Sequence, residues 1–311
     1  MATIDAGKYK SSPIHIPNPH VQGMTEDVLY HLALGTNSHD LPSMFGDLKF
    51  VCVGGSPRRM EKVALYMADA LDIDIPTGMA LNNIGHGKAR YAIYKVGPVL
   101  AISHGMGRPS MSIMMHELFK LLHHAGCTGV TLFRVGTCGG LGLEPGSVVV
   151  TEEALSPLLQ PSYDQIILGN VVSRPCVLDK DTANDLMGCA STEDEFATVK
   201  GKTMSADDFY EEQGRLDGAL CNYTEDDKMA YLKRAHDLGV RNIEMEAVCF
   251  AALSHAVQLK GAVACVTLVD RLKGDQITSS AKDMEEWQMR PQKLVARYIR
   301  KNLGLPPKDM P

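Results

Sequence analysis

The chain has 311 residues, 45% of them hydrophobic and 22% charged, and a formal net charge of −6. That length admits one large α/β domain or two ordinary ones, and it buries a core without staples. A slightly negative balance with interspersed signs excludes a field for nucleic acid or an anionic membrane, so an anionic ligand must be small and held by local cations.

In chain order, residues 1–20 are polar and lack the apolar core of a secretory signal, so they read as a tail, as do residues 304–311. KFVCVGG (49–55) predicts a buried strand ending in a glycine turn, and Ser56-Pro57 then opens a helix with Met60, Val63, Ala64, Met67 and Leu71 inward. RYAIYKV and PVLAISH (90–104) predict two strands. A helix follows from Ser110, with Ile113, Met114, Leu118, Leu121 and Leu122 inward. VTLFRVGT (130–137) and SVVVTEEAL (147–155) predict further strands. NIEMEAVCFAALSHAV predicts a short strand running into a helix, AVACVTLVD (262–270) a last central strand, and residues 282–301 one closing helix. With no long linker and no repeat, this alternation argues for βα units, a largely parallel sheet and a single domain.

The eight cysteines are scattered, without a C-x-x-C pair, and most sit in apolar runs such as FVCVGG and AVACVTLV. Buried hydrophobe in a reducing compartment is the expected role. The longest apolar stretch, 261–269, is too short to cross a bilayer, and the chain is expected to be soluble and cytoplasmic.

Several motif chemistries are excluded. GxGxxG is absent, because Gly105-Met106-Gly107 is followed by Ser110, and no Gly-Lys-Ser/Thr follows a glycine-rich turn. His116-Glu117 begins like a zinc HExxH, but the fifth residue is Lys120; Asp179, Asp181 and Asp185 lack the glycine and terminal glutamate of a calcium loop. No protein-bound metal is expected.

The expected strands end in GGSPRR, SHGMG, FRVGTCGG, EME and VDR, and ligands in open α/β sheets sit outside such carboxyl ends. Three constellations fall there. Gly55 and Arg59 follow the first strand, while Arg134 lies inside an apolar strand just before Gly136 and Thr137. An internal ion pair with a glutamate would explain Arg134 alone. Together with glycines that admit backbone N–H groups, an oxyanion such as free phosphate is the better account. Glu244-Met245-Glu246 is compatible with a simple helix-start preference, or with a carboxylate accepting from a sugar's vicinal hydroxyls. Gln213 offers the donor and acceptor that an imide edge requires, with Arg215 for a ring carbonyl and Phe209 as a stacking face; a polar loop with an Arg–Asp pair is the bland alternative.

Taken together these segments resemble the uridine phosphorylases, in their animal branch, within the nucleoside phosphorylase-I superfamily. SHGMGRPSMSI (103–113), continuing to Glu117-Leu118, fits the superfamily signature, and FYEEQGRLDGAL carries the Gln213 and Arg215 pair that separates the uridine enzymes from purine relatives. The resemblance covers nearly the whole chain. It implies a single-domain three-layer α/β/α nucleoside-phosphorylase fold over 1–311, with a central mixed, mostly parallel sheet. It also implies reversible phosphorolysis of uridine to uracil and ribose 1-phosphate, with inorganic phosphate as co-substrate and no cofactor.

Residue by residue, the resemblance assigns phosphate to Gly55, Arg59, Arg134 and Thr137, with Arg90 reaching in from a second subunit. It assigns ribose to Thr137, Met245 and Glu246, with His31 from that same partner, and so implies a homodimer. Uracil falls to Phe209, Gln213 and Arg215, with Leu268, Val269 and Ile277 lining the pocket near its C5. There are four departures from the family pattern, the last of them a pair of positions. Glu212 replaces a glycine, Ala89 an aspartate and Cys138 a small hydroxyl residue, and Gly85 with Ala92 stand where some animal relatives carry a redox cysteine pair. Asp270 is the one feature that favours a purine nucleoside phosphorylase, and Glu212 with Ala89 are the grounds for a catalytically weak pyrimidine-binding paralogue.

Overall fold

The computed structural model describes residues 14–76, 78–85 and 88–308. Helix α1 (Pro19–Gln22), capped by Asn18, leads to a small ribbon of β1 (Val28–Leu29) and β2 (Leu34–Gly35) and to α2 (Leu41–Phe45). Strand β3 (Phe50–Gly54) is buried throughout and runs into α3 (Pro57–Ala70), whose cap Ser56 accepts from the Arg59 N–H. Next come β4 (Ile93–Val96), β5 (Val99–Ser103), α4 (Gly107–His124), the long β6 (Thr131–Gly140) and β7 (Val148–Leu155). A hairpin of β8 (Ser162–Ile167) and β9 (Asn170–Pro175) precedes α5 (Lys180–Met187) and β10 (Thr198–Ser205). The chain finishes with α6 (Glu225–Asp237), β11 (Val240–Glu244), α7 (Ala247–Ala256), β12 (Lys260–Asp270), α8 (Ala281–Trp287) and α9 (Arg290–Asn302).

Eight strands form one sheet in the order β11-β10-β7-β12-β6-β3-β5-β4. It is mixed and mostly parallel, as expected: only β4–β5, β7–β12 and β6–β11 are antiparallel. The β6–β11 pairing sets Gly139 opposite Ile243 and Gly140 opposite Asn242. It curls one side of the sheet back on itself, so that β6, β12, β7, β10 and β11 close into a ring. Packing at the closure leaves no room beside Gly139, where an added Cβ would sit 2.8 Å from Cγ of Arg271. One face of the sheet buries its apolar side chains with α4 and α7, the other with α3, α5 and α9, which gives the three layers.

Three expectations need correction. The closing helix is two helices: α8 ends at Trp287 and α9 starts at Arg290, since Pro291 takes an N-terminal helix position and disfavours helix continuing into it. Ile113 is 40% exposed, while the other inward-facing positions expected of α4 are buried. The segments read as tails are partly anchored. Residues 1–13 lie outside the described range, but Ile14 packs into the core, the Pro306 carbonyl accepts from Arg300, and Lys308 pairs with Asp69 and Asp72.

Candidate functional site

The strand ends converge on a cavity of about 430 Å³. Every residue expected to serve it from this chain lines it: Gly55, Arg59, Arg134 and Thr137; Met245 and Glu246; Phe209, Gln213, Arg215, Leu268, Val269 and Ile277. A larger cavity of about 960 Å³ lies between α9, the C-terminal segment and the 189–196 loop. Its wall carries acidic and basic side chains together, including the Arg297–Asp194 pair, and none of the converging strand ends, so the smaller cavity is the candidate site.

The cation cluster begins at the start of α3. Because Ser56 caps the helix through the Arg59 N–H, Arg59 is fixed in the first turn, where helix N–H groups favour an anion. Among the described residues no carboxylate forms an ion pair with Arg59. Burial and the nearby Arg134 charge push its pKa down, and the opposing charges of Cys265 and Glu246 do not make up for them.

Arg134 is only 2% exposed and makes the internal ion pair expected of it. It is ion-paired with Glu246, lies 2.7 Å from a Glu244 oxygen, and donates from Nη1 to Cys265 Sγ at 2.9 Å. It also faces the cavity, and its buried Nε has no partner among the described residues. Burial opposes its charge, but Glu244, Cys265 and Glu246 outweigh that and raise its pKa. Gly136 is required here, since a Cβ would lie 2.6 Å from Nη1 of Arg134.

The two glutamates divide the work. Glu244 accepts from the backbone N–H of Glu246 and Ala247, capping α7, and burial raises its pKa. Glu246 accepts from the Gly107 N–H at 2.6 Å, so it serves the otherwise uncapped start of α4. Burial opposes its charge, yet Arg134, His104 and that N–H hold its carboxyl below the usual range, ionised beside the cavity. His104 also lines the cavity; burial pushes its pKa down to about 4, and neither ring nitrogen has a partner among the described residues.

At the third group, Arg215 stacks on Phe209, 4.4 Å from the ring centroid, and forks onto Asp217 at 2.9 and 3.0 Å. The loop is held from behind by the fully buried Arg271, which donates to the Gln213 carbonyl at 2.8 Å and to Asp275 at 3.0 Å. Asp275 also takes Lys228 and the Leu216 N–H. Gln213 is only 4% exposed, and its side chain enters none of the hydrogen bonds among the described residues. Its amide is available to a ligand.

His31 and Arg90 do not line the cavity of their own chain. They sit together elsewhere: the Arg90 N–H donates to the His31 carbonyl at 2.7 Å, and Glu117 accepts from the His31 backbone N–H and lies 2.7 Å from its Nδ1. Of the departures, Glu212 does not line the cavity and accepts from the Asp207 and Asp208 N–H groups. Ala89 packs against Gly85, where a larger pair of side chains would collide. Cys138 is buried and donates to the Val266 carbonyl. Asp270 accepts from the N–H groups of Gly142 and Leu272 and does not line the cavity.

Sequence reasoning missed the roles of Glu244, His104, Arg271, Asp275 and Lys228. The EME, SHGMG and VDR strand ends pointed to the first three; nothing local pointed to Lys228 or Asp275.

Residues 49–300 match the model of the phosphorylase superfamily. The chain is 54% identical to uridine phosphorylase 1 of Mus musculus, over 94% of this chain and 93% of that protein. A uridine phosphorylase from Schistosoma mansoni solved in complex with thymidine superposes with a TM-score of 0.88 at 40% identity, covering 94% of this chain and 99% of that one. A second Schistosoma mansoni relative, named inactive uridine phosphorylase B, is 37% identical over 93% of this chain and 97% of its own length.

Proposed function

We propose that this chain, which belongs to the phosphorylase superfamily and within it to the uridine phosphorylases, splits uridine reversibly with inorganic phosphate into uracil and ribose 1-phosphate. The observation that carries the proposal is the single cavity in which unpaired Arg59, ionised Glu246 and the free Gln213 amide meet.

Breaking the N-glycosidic bond leaves positive charge on the ribose and negative charge on uracil. Phosphate, held by Arg59, Arg134, Thr137 and the Gly55 backbone, stabilises that cation and attacks C1′; being anionic at neutral pH, it needs no general base. Glu246 accepts from the ribose hydroxyls, with Met245 against the sugar. Gln213 and Arg215 donate to the uracil oxygens more strongly as charge develops there, which is what lowers a barrier. Leu268, Val269 and Ile277 enclose the pyrimidine edge, and Phe209 stands beside the ring.

His31 and Arg90 complete the phosphate and ribose ends of a partner's cavity in a homodimer. Their separation from their own cavity supports this arrangement. The reaction requires neither cofactor nor metal, and the described residues hold no helix long and apolar enough to cross a membrane. The enzyme works in the cytoplasm.

Asp270 is committed to two backbone N–H groups, which argues against a role in protonating a purine. A second reading is a fold that binds pyrimidine without turnover, favoured by the relative named inactive. Uracil release from uridine, measured with and without phosphate and with inosine alongside, separates the cases. Phosphate-dependent release with inosine untouched supports the enzyme, and uracil binding without turnover supports the second reading.

A further inference from the structure

Arg59 borders two cavities. One is the cavity of about 430 Å³ described above; the other, of about 270 Å³, is lined by Arg58, Arg59, Lys62, Glu285 and Gln288 among others. The second holds the Glu285 carboxylate, which pairs with Lys62 and lies 3.6 Å from Arg58. An unpaired guanidinium on a flexible stem would be drawn to that carboxylate, away from the site. What opposes this is Gln288, whose Oε1 accepts from Arg59 Nε at 3.0 Å. Gln288 is itself clamped, since its Nε2 donates to the Met284 carbonyl at 3.0 Å across the last turn of α8.

A guanidinium offers two paired edges, Nε with one Nη and the two Nη groups together. With Nε engaged, the edge left for an oxyanion is the Nη pair, and Nη1 lies 3.7 Å from where a Cβ on Gly55 would stand, against the cavity wall. From this geometry we infer that Gln288 is a positioning residue of the phosphate site, keeping Arg59 turned inward with its Nη edge presented to the co-substrate. The inference rests on the phosphorylase reading of the site. It makes phosphate affinity depend on the segment between β12 and α9, which also brings Ile277 to the nucleoside side.

The test is Gln288→Met, of similar length but without the amide, in the full-length protein. The expected result is a phosphate KM and calorimetric phosphate Kd raised about tenfold, the order for losing a hydrogen bond to a charged group. Uridine KM is expected to stay within about twofold. In an Arg59→Lys background, which has no Nε–H, Gln288→Met should add no more than about twofold. Phosphate constants unchanged within about twofold would overturn the inference. So would both KM values rising together with a lowered unfolding midpoint, or an undiminished effect on Arg59→Lys. A wild-type protein inert to uridine that still shows the calorimetric shift would sink the phosphorylase reading and leave the positioning role standing.

Discussion

The guanidinium of Arg134 and the carboxylate of Glu246 form a buried ion pair at the cavity wall, between groups assigned to phosphate and to ribose. Each has a second tie that prevents mutual collapse: Arg134 also holds Glu244, and Glu246 accepts from the Gly107 N–H of α4. The pair therefore presents fixed charges of opposite sign to one ligand assembly. Such preorganisation spares the reorganisation that free side chains would need at the moment of bond breaking.

Replacing Glu246 by Gln keeps the shape and removes the charge proposed to accept from the sugar hydroxyls. Glu244 stays to neutralise Arg134, so the expected loss of stability is about 2 kcal/mol, that of a hydrogen bond to a charged group. The kcat/KM for uridine should fall about a hundredfold. Preference for uridine over deoxyuridine should shrink as well, because the variant no longer distinguishes the 2′-hydroxyl. Steady-state kinetics on both nucleosides check this, and an unchanged preference would remove Glu246 from the ribose.

Gln213 and Arg215 should separate under mutation. The Gln213 amide enters no hydrogen bond among the described residues, so Gln213→Leu should leave the unfolding midpoint nearly unchanged. It should lower kcat/KM for uridine about a hundredfold. Arg215→Ala should cost activity to a similar degree and stability as well, because Asp217, the Asp275 carbonyl and Phe209 all lean on that guanidinium. Thermal melts beside the kinetics distinguish the two; equal stability losses would contradict the structure.

The parts of the site that were legible in sequence are those set by local chemistry. Arg134 stood out as a charge in an apolar strand, glycines marked the strand ends, and Gln213 and Arg215 shared one short segment. What escaped is held by contacts remote in sequence: Arg271 reaches Gln213 across 58 positions, and Gln288 reaches Arg59 across 229. The hairpin of β8 and β9 was missed because most of its residues are exposed, which leaves no apolar periodicity to detect. Closure of β6 on β11 has no local marker beyond Gly139 and Gly140, while α6 carried a capping box, Thr224 with Asp227, that was open to recognition. Glu212 counts in the sequence as grounds for a weak paralogue because its direction is set by the Asp207 and Asp208 N–H groups, which its position alone does not reveal.

His104 predicts how stability depends on pH. Its pKa falls from an ordinary 6.5 in the unfolded chain to about 4 in the fold, because burial penalises the charged ring. Between those values the unfolded state binds the extra proton, so stability is complete above about pH 6.5 and declines as pH falls towards 4. The slope attributable to one such group is at most about 1.4 kcal/mol per pH unit. His116 and His255 are lowered too and add the same sign, so His104→Asn should flatten the profile without abolishing it. Urea denaturation across this window measures the effect, and identical profiles for both proteins would show that His104 stays charged or exposed.

The proposed division of the site between subunits gives a prediction that no single-chain account reproduces. On that arrangement Arg90→Ala removes a residue delivered to the partner's cavity, whereas Gln213→Leu damages the chain's own cavity, so each homodimer should be nearly inactive. In an isologous dimer every heterodimer of the two variants has one cavity built from an undamaged Gln213 and the other chain's intact Arg90. Its second cavity carries both defects. Equal mixing, with unfolding and refolding together to exchange subunits, should therefore restore about a quarter of wild-type activity, since half the dimers are hybrid and half their sites are intact. Arg90→Ala mixed with His31→Ala should restore nothing, because both residues travel on the same chain and every cavity then lacks one of them. Recovery in the first mixture and none in the second would tie His31 and Arg90 to the neighbouring cavity. Full activity of Arg90→Ala alone would place the phosphate site wholly within one chain.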